Sequence, residues 1–184
     1  STIKYGATSF SVYNHMYMPV TYDGTIEDYK KLLDGVQLWD VGVERQVQIK
    51  GPDAESLAQF LTPRNIKKCS IGQAMYTPLT DFKGNLINDP VMLKIDDDCY
   101  WFSVSDGDLL LWAQGIAAGY KFEVDVDEPD VSPLQVQGPN STKLMTKVFG
   151  DWINDLGFYK FKEINHEGIP MVIARMGYSK ELCY

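Results

Sequence analysis

Val47–Gln48–Ile49–Lys50–Gly51–Pro52–Asp53–Ala54 returns later in the chain as Leu134–Gln135–Val136–Gln137–Gly138–Pro139–Asn140–Ser141. In each copy a short alternating run reads as a strand, and the glycine that ends it is free to adopt dihedrals closed to other residues. Pro and then Asp or Asn suit the first turn of a helix, where the backbone N–H groups have no partners of their own. Apolar residues follow at three- and four-residue spacing: Leu57, Ala58 and Leu61 after the first copy, Leu144, Met145, Val148 and Phe149 after the second. Each set predicts one buried stripe. Two copies are too few for a solenoid, so the chain reads as α+β with two related strand–turn–helix halves.

Between the copies, Val91–Met92–Leu93–Lys94–Ile95 and Cys99–Tyr100–Trp101–Phe102–Ser103–Val104 are β-prone runs joined by Asp96–Asp97–Asp98, which predicts a hairpin with a polar tip. The three carboxylates lack the following Gly and bidentate Glu of a calcium loop and read as a solvated turn. Gly107–Ala118 reads as a helix started at Asp106 or Asp108, and Phe122, Val124 and Val126 alternate with charged residues as a strand with one exposed face. Ile169–Arg175 reads as a further strand, and Gly177 as a turn.

The 184 residues are 45% hydrophobic, enough for a sizeable core and too apolar for a disordered tail. The longest apolar run, Leu109–Ala113, is far short of the ~20 residues that span a bilayer. A membrane role is not expected, and Ser1–Thr2–Ile3–Lys4–Tyr5 does not read as a secretory leader. Net charge is −8 with scattered basic residues, which argues against a nucleic-acid surface. Cys69, Cys99 and Cys183 are widely spaced, with only His15 and His166 to join them, so a reduced, cytoplasmic protein without a metal is expected.

The chain has no nucleophile triad, P-loop or dinucleotide fingerprint. What stands out is Gly84–Asn85–Leu86–Ile87–Asn88–Asp89–Pro90, an acid at the mouth of an apolar strand; by itself an Asp before Pro reads as a turn cap. Tyr76–Thr77, Gly84 and Asn88–Asp89 together resemble the tyrosine, glycine and acidic-pair pattern of the folate-dependent aminomethyltransferases, the T-proteins of the glycine cleavage system. Trp39–Asp40–Val41 followed by Val47–Leu57 is similar to the strand and first Gly-Pro-Asp helix of that family. T-proteins carry Asp-Val-Ser-His-Met where this chain has Asp40–Val41–Gly42–Val43–Glu44. That departure, with Tyr13–Asn14–His15–Met16, Asp106–Gly107–Asp108–Leu109 and Glu128–Pro129–Asp130–Val131–Ser132–Pro133–Leu134, resembles the family's dimethylsulfoniopropionate demethylase branch.

The resemblance implies a folate-binding aminomethyltransferase-like fold with antiparallel sheets, of which this chain is the N-terminal half. Residues 1–45 and 131–184 would be parts of a discontinuous first domain and residues 46–130 a second α+β domain. Asp89 matches the family's acid near the pterin nitrogens, with Asn88 in place of the first member of the pair; the plain alternative is a helix or turn cap. Tyr76 matches a tyrosine lining the folate pocket, against the alternative of a core aromatic with a wet hydroxyl. Ser103 matches a strand position facing substrate, although a strand Ser commonly bonds to backbone. The demethylases carry Trp where Gly177–Tyr178–Ser179–Lys180 has Tyr178, so Tyr178 and Trp152 are the aromatic candidates for holding a sulfonium; Trp152 also reads as simple packing at a helix end. His15 is given no role.

The function implied is transfer of an S-methyl group from dimethylsulfoniopropionate, or a similar sulfonium zwitterion, to N5 of tetrahydrofolate. The alternatives are an aminomethyl- or N-methyltransferase of the T-protein type and a folate-binding relative without turnover. The family's second folate-contacting acid is expected beyond Tyr184, which makes the chain alone an inactive half. Nothing in the sequence speaks to oligomeric state.

Overall fold

The computed structural model describes residues 2–184, which divide into two compact units. One unit comprises the residues up to Val43 together with Ser132–Tyr184; the other is Glu44–Val131.

The first unit begins with strands β1 (Ser9–Tyr13) and β2 (Met16–Thr21), paired as an antiparallel hairpin. Its two turn residues, Asn14 and His15, have φ of 47° and 63°, the paired left-handed conformation whose twist suits a two-residue hairpin loop. The Asn14 amide donates to the Val43 carbonyl at 2.9 Å. Helix α1 (Thr25–Asp34) and strand β3 (Gln37–Asp40) follow.

The second unit contains β4 (Gln46–Lys50), α2 (Ala54–Phe60), β5 (Gln73–Tyr76), the small pair β6 (Leu79–Thr80) and β7 (Leu86–Asn88), β8 (Val91–Asp96), β9 (Cys99–Ser103), α3 (Leu109–Tyr120) and β10 (Asp125–Asp127). Five strands form an antiparallel sheet in the order β10-β4-β9-β8-β5. Alternation decides its faces. Val47, Ile49, Met75, Met92, Tyr100 and Phe102 point to one side and pack against Ala54, Leu57 and Ala58 of α2 and Leu109, Ala113, Ile116 and Ala117 of α3. Each large side chain buried this way contributes roughly 1.5–3 kcal/mol, so this layer dominates the unit's stability.

The chain then returns to the first unit with β11 (Leu134–Gln137), α4 (Ser141–Phe149), a short 3-10 turn (Asp151–Asp155), and the hairpin β12 (Lys160–His166) and β13 (Ile169–Arg175). β11 pairs antiparallel with β3, and a smaller core gathers Met145, Ile153, Leu156, Ile173 and Tyr184.

Both sequence copies form a strand, a tight turn and a helix, with Gly51 at φ 137° and Gly138 at φ 125°. The structure corrects three details. Asp53 and Asn140 precede their helices but make no side-chain cap; Asp53 instead accepts the Glu123 N–H at 2.8 Å, because the segment leading to β10 lies closer than the first helical turn. Leu144 and Val148 are exposed rather than buried, since α4 turns only Met145 and part of Phe149 to its core. The strand at Phe122–Val126 shrinks to Asp125–Asp127, with Phe122 and Val124 still half-buried against the core. The helix expected at Gly107–Ala118 runs from Leu109, preceded by Asp108.

Candidate functional site

The face of the sheet opposite α2 and α3 carries the polar residues. On β9, Phe102 points into the core, so its neighbour Ser103 projects to the other side. The register then lays a row across four strands: Gln46 opposite Ser103, Ser103 opposite Val91, Val91 opposite Tyr76. Tyr76 and Ser103 therefore share one face, two strands apart.

Asp89 joins them just beyond the end of β8. Pro90 has no N–H, and the ladder between β8 and β9 stops at Val91. Asn88, 3% exposed, continues the pairing with its side chain: Oδ1 accepts the Ser105 N–H at 3.1 Å, and Nδ2 donates to the Ser105 carbonyl at 3.0 Å. Gly107, at φ 143°, lets the loop close over this amide; a Cβ there would lie 3.3 Å from Asn88 Nδ2. Thus Asn88 braces the strand ends, and the half-buried Asp89 presents its carboxylate. The Ser105 hydroxyl donates to Asp89 Oδ1 at 2.6 Å, and the Tyr76 hydroxyl donates to Oδ2 at 3.3 Å. The first bond is short and charge-assisted; the second is long, from an exposed ring.

Ser103 accepts a hydrogen bond from the buried Gln46 amide at 3.0 Å, which leaves its own proton to donate elsewhere. The two aromatic candidates belong to the other unit. Trp152 is half-buried, its indole N–H donates to the Phe149 carbonyl at 2.8 Å, and the Lys162 ammonium lies 4.9 Å from its ring centre. Tyr178 is 85% exposed. The structure thus brings Tyr76 and Asp89 into contact and puts Ser103 on the same face, while Trp152 and Tyr178 are separately housed.

Sequence reasoning overlooked Ser105, Asn88 as a brace, and Gln46. Counting back from the hairpin tip would have set Asp89 against Asp106; only the bulge between Lys94 and Asp96, which pairs Val91 with Ser103, brings Ser105 near Asp89. Among the described residues, no group of three or more His, Cys, Asp or Glu side chains could hold a metal ion, and no helix is long and apolar enough to cross a membrane.

The chain matches the model of the GCVT N-terminal domain over residues 1–184. It is 44% identical to the dimethylsulfoniopropionate demethylase DmdA of Ruegeria pomeroyi over 176 residues, covering 96% of this chain and 48% of that protein. An aminomethyltransferase of Chlorobium limicola is 30% identical over 171 residues, covering 89% and 47%. The crystal structure of the glycine cleavage system aminomethyltransferase T from Bartonella henselae superposes with a TM-score of 0.85 at 20% identity, covering 99% of this chain and 50% of that one, a likeness of fold. The chain spans about half the length of the curated relatives it matches.

Proposed function

This chain belongs to the family of GCVT N-terminal domains, and from that membership we propose that it serves a tetrahydrofolate-dependent S-methyltransferase acting on dimethylsulfoniopropionate or a similar sulfonium zwitterion. The observation that carries the reading is the 44% identity to a dimethylsulfoniopropionate demethylase across 96% of the chain. The products are a methylthio acid and 5-methyltetrahydrofolate.

The residues fit a reduced pterin. A flat ring edged with N–H donors needs an acceptor beside an aromatic surface, and Asp89 Oδ2, which takes the long bond from the exposed Tyr76, is such an acceptor. When bound, tetrahydrofolate supplies N5, the nucleophile that takes the methyl group. Because N5–H becomes N5–CH3, one proton is released per methyl moved, and Asp89 Oδ2 is the base assigned to hold it. A well-placed base contributes about 10²- to 10⁴-fold. The thioether departs neutral, so the chain's remaining task is positioning and exclusion of water. Ser103 is assigned to substrate, with its free proton as donor. Tyr178 and Trp152 offer ring faces to the sulfonium; at Trp152 the cation has to share or displace Lys162. A cytoplasmic location is part of the same proposal.

The 30% identity to an aminomethyltransferase favours a second reading, transfer from an aminomethyl or N-methyl donor. Incubating the intact protein with tetrahydrofolate and each donor, and following the folates by chromatography, separates the two. 5-Methyltetrahydrofolate from dimethylsulfoniopropionate is the expected product; 5,10-methylenetetrahydrofolate from an aminomethyl donor would replace the first reading with the second. Folate binding without turnover on any donor would mark a non-catalytic relative.

A further inference from the structure

We propose that Ser105 is a positioning residue that fixes the Asp89 carboxylate, engaging Oδ1 so that Oδ2 is the oxygen offered to a ligand N–H. The inference rests on the proposed role of Asp89 in folate binding and adds a residue to it.

Geometry carries it. Ser105 lies two residues past Ser103, where the β8–β9 ladder has ended, and its backbone is pinned from both sides by the buried Asn88 amide, which takes its N–H at 3.1 Å and donates to its carbonyl at 3.0 Å. A strand end braced this way has little freedom to move its side chain. The Ser105 hydroxyl oxygen lies 2.6 Å from Asp89 Oδ1 and 3.1 Å from Asn88 Oδ1. A hydroxyl has one proton, and the shorter, charge-assisted partner is the carboxylate. The same oxygen accepts the Asp89 N–H at 3.4 Å, a long contact that nevertheless closes a ring between the two residues. Rotation of the carboxylate would break the 2.6 Å bond, whereas the bond to Oδ2, from the exposed Tyr76 side chain, is long at 3.3 Å. The two oxygens are therefore unequal: one is structural, the other is available. A carboxylate already oriented before the ligand arrives loses less rotational freedom on binding.

The alternative is that Ser105 merely ties the Asp106–Asp108 loop to the sheet. The two roles separate in a double-mutant cycle on the intact protein, read as the dissociation constant for tetrahydrofolate, with unfolding temperatures measured in parallel. Ser105→Ala should weaken binding about 10- to 100-fold, the range for a hydrogen bond to a charged group. Ser105→Thr, which retains the hydroxyl, should recover most of that loss. In the Asp89→Asn background, adding Ser105→Ala should change binding less than about threefold, because the charge it positions is gone. An equal loss in both backgrounds, or no loss with Ser105→Ala alone, overturns the positioning role. If Asp89→Asn itself leaves folate binding unchanged, the role of Asp89 falls, and this inference falls with it. Should Ser105→Ala lose its cooperative unfolding transition, Ser105→Cys, with similar volume and a weak donor, takes its place with the same outcomes.

Discussion

The two copies of the strand–glycine–proline–helix motif share their backbone and differ in what surrounds it. Gly51 donates to the Asp98 carbonyl at 2.9 Å, and Gly138 donates to the Leu182 carbonyl at 2.9 Å. Two residues on, Asp53 donates to Glu123 O at 3.3 Å and Asn140 to Gly35 O at 3.0 Å. A Cβ on Gly51 would fall 2.8 Å from Glu123 O; one on Gly138 would lie closer still to Gly35 O. On one flank β4 has β10, preceded by α3, and β11 has β3, preceded by α1. On the other flank β4 has Cys99 opposite Lys50, and β11 has Cys183 bridged to Gln137. The units are thus related down to single hydrogen bonds, although the flanking helix and strand follow the motif in the second unit and precede it in the first. Burial is where they part. Ala54, Leu57 and Ala58 of α2 are fully buried beneath the sheet and α3, while α4 buries Met145 and leaves Leu144 38% and Val148 47% exposed. A shared turn does not confer a shared core; the layers stacked on it do.

Several substitutions break or sharpen this contrast. The largest effect is expected at the polar face of the second unit, where Asp89 meets Ser105 and Tyr76. Asp89→Asn should lower turnover of the intact protein by about 10²- to 10⁴-fold with little change in unfolding temperature. Loss of more than ~2 kcal/mol of stability with turnover per folded molecule unchanged would make Asp89 a structural cap. Next comes the core: Leu57→Ala should cost about 2–5 kcal/mol in denaturant unfolding, and Leu144→Ala less than ~1 kcal/mol. Equal costs would erase the difference in burial.

The glycines test the similarity instead. Gly51→Ala and Gly138→Ala each place a side chain at positive φ against a carbonyl, so each should lose at least ~1–3 kcal/mol, with Gly138→Ala the worse. The smallest effect concerns the residues before the helices. Asp53→Ala should cost about 1 kcal/mol, because its carboxylate accepts the Glu123 N–H, and Asn140→Ala under ~0.5 kcal/mol, because its amide caps nothing. Chemical unfolding of the four variants under one condition reads both pairs.

The sequence by itself determined the local elements, since these follow from short-range patterns. The Gly-Pro turns, the hairpin around Asp97–Asp98 and the helix after Asp108 could be read from residue type and spacing, whereas Tyr76 and Asp89 became candidates only through the family resemblance, since by itself Asp89 reads as a turn cap. Which residues face one another was decided by the tertiary structure alone. Near the hairpin tip Asp96 pairs with Cys99, and continuing that count would set Asp89 against Asp106. A bulge between Lys94 and Asp96 shifts the register by one residue, so Lys94 meets Tyr100 and Val91 meets Ser103, and beyond the ladder's end the Ser105 hydroxyl reaches Asp89. Side chains alternate with period two, and a slip of one residue exchanges the faces of a strand. The bulge keeps Met92 and Phe102 together in the core and puts a serine hydroxyl, rather than a second carboxylate, against Asp89. Its position reflects packing of β8 and β9 against the rest of the sheet and its helices, a sum of long-range contacts that no local spacing encodes.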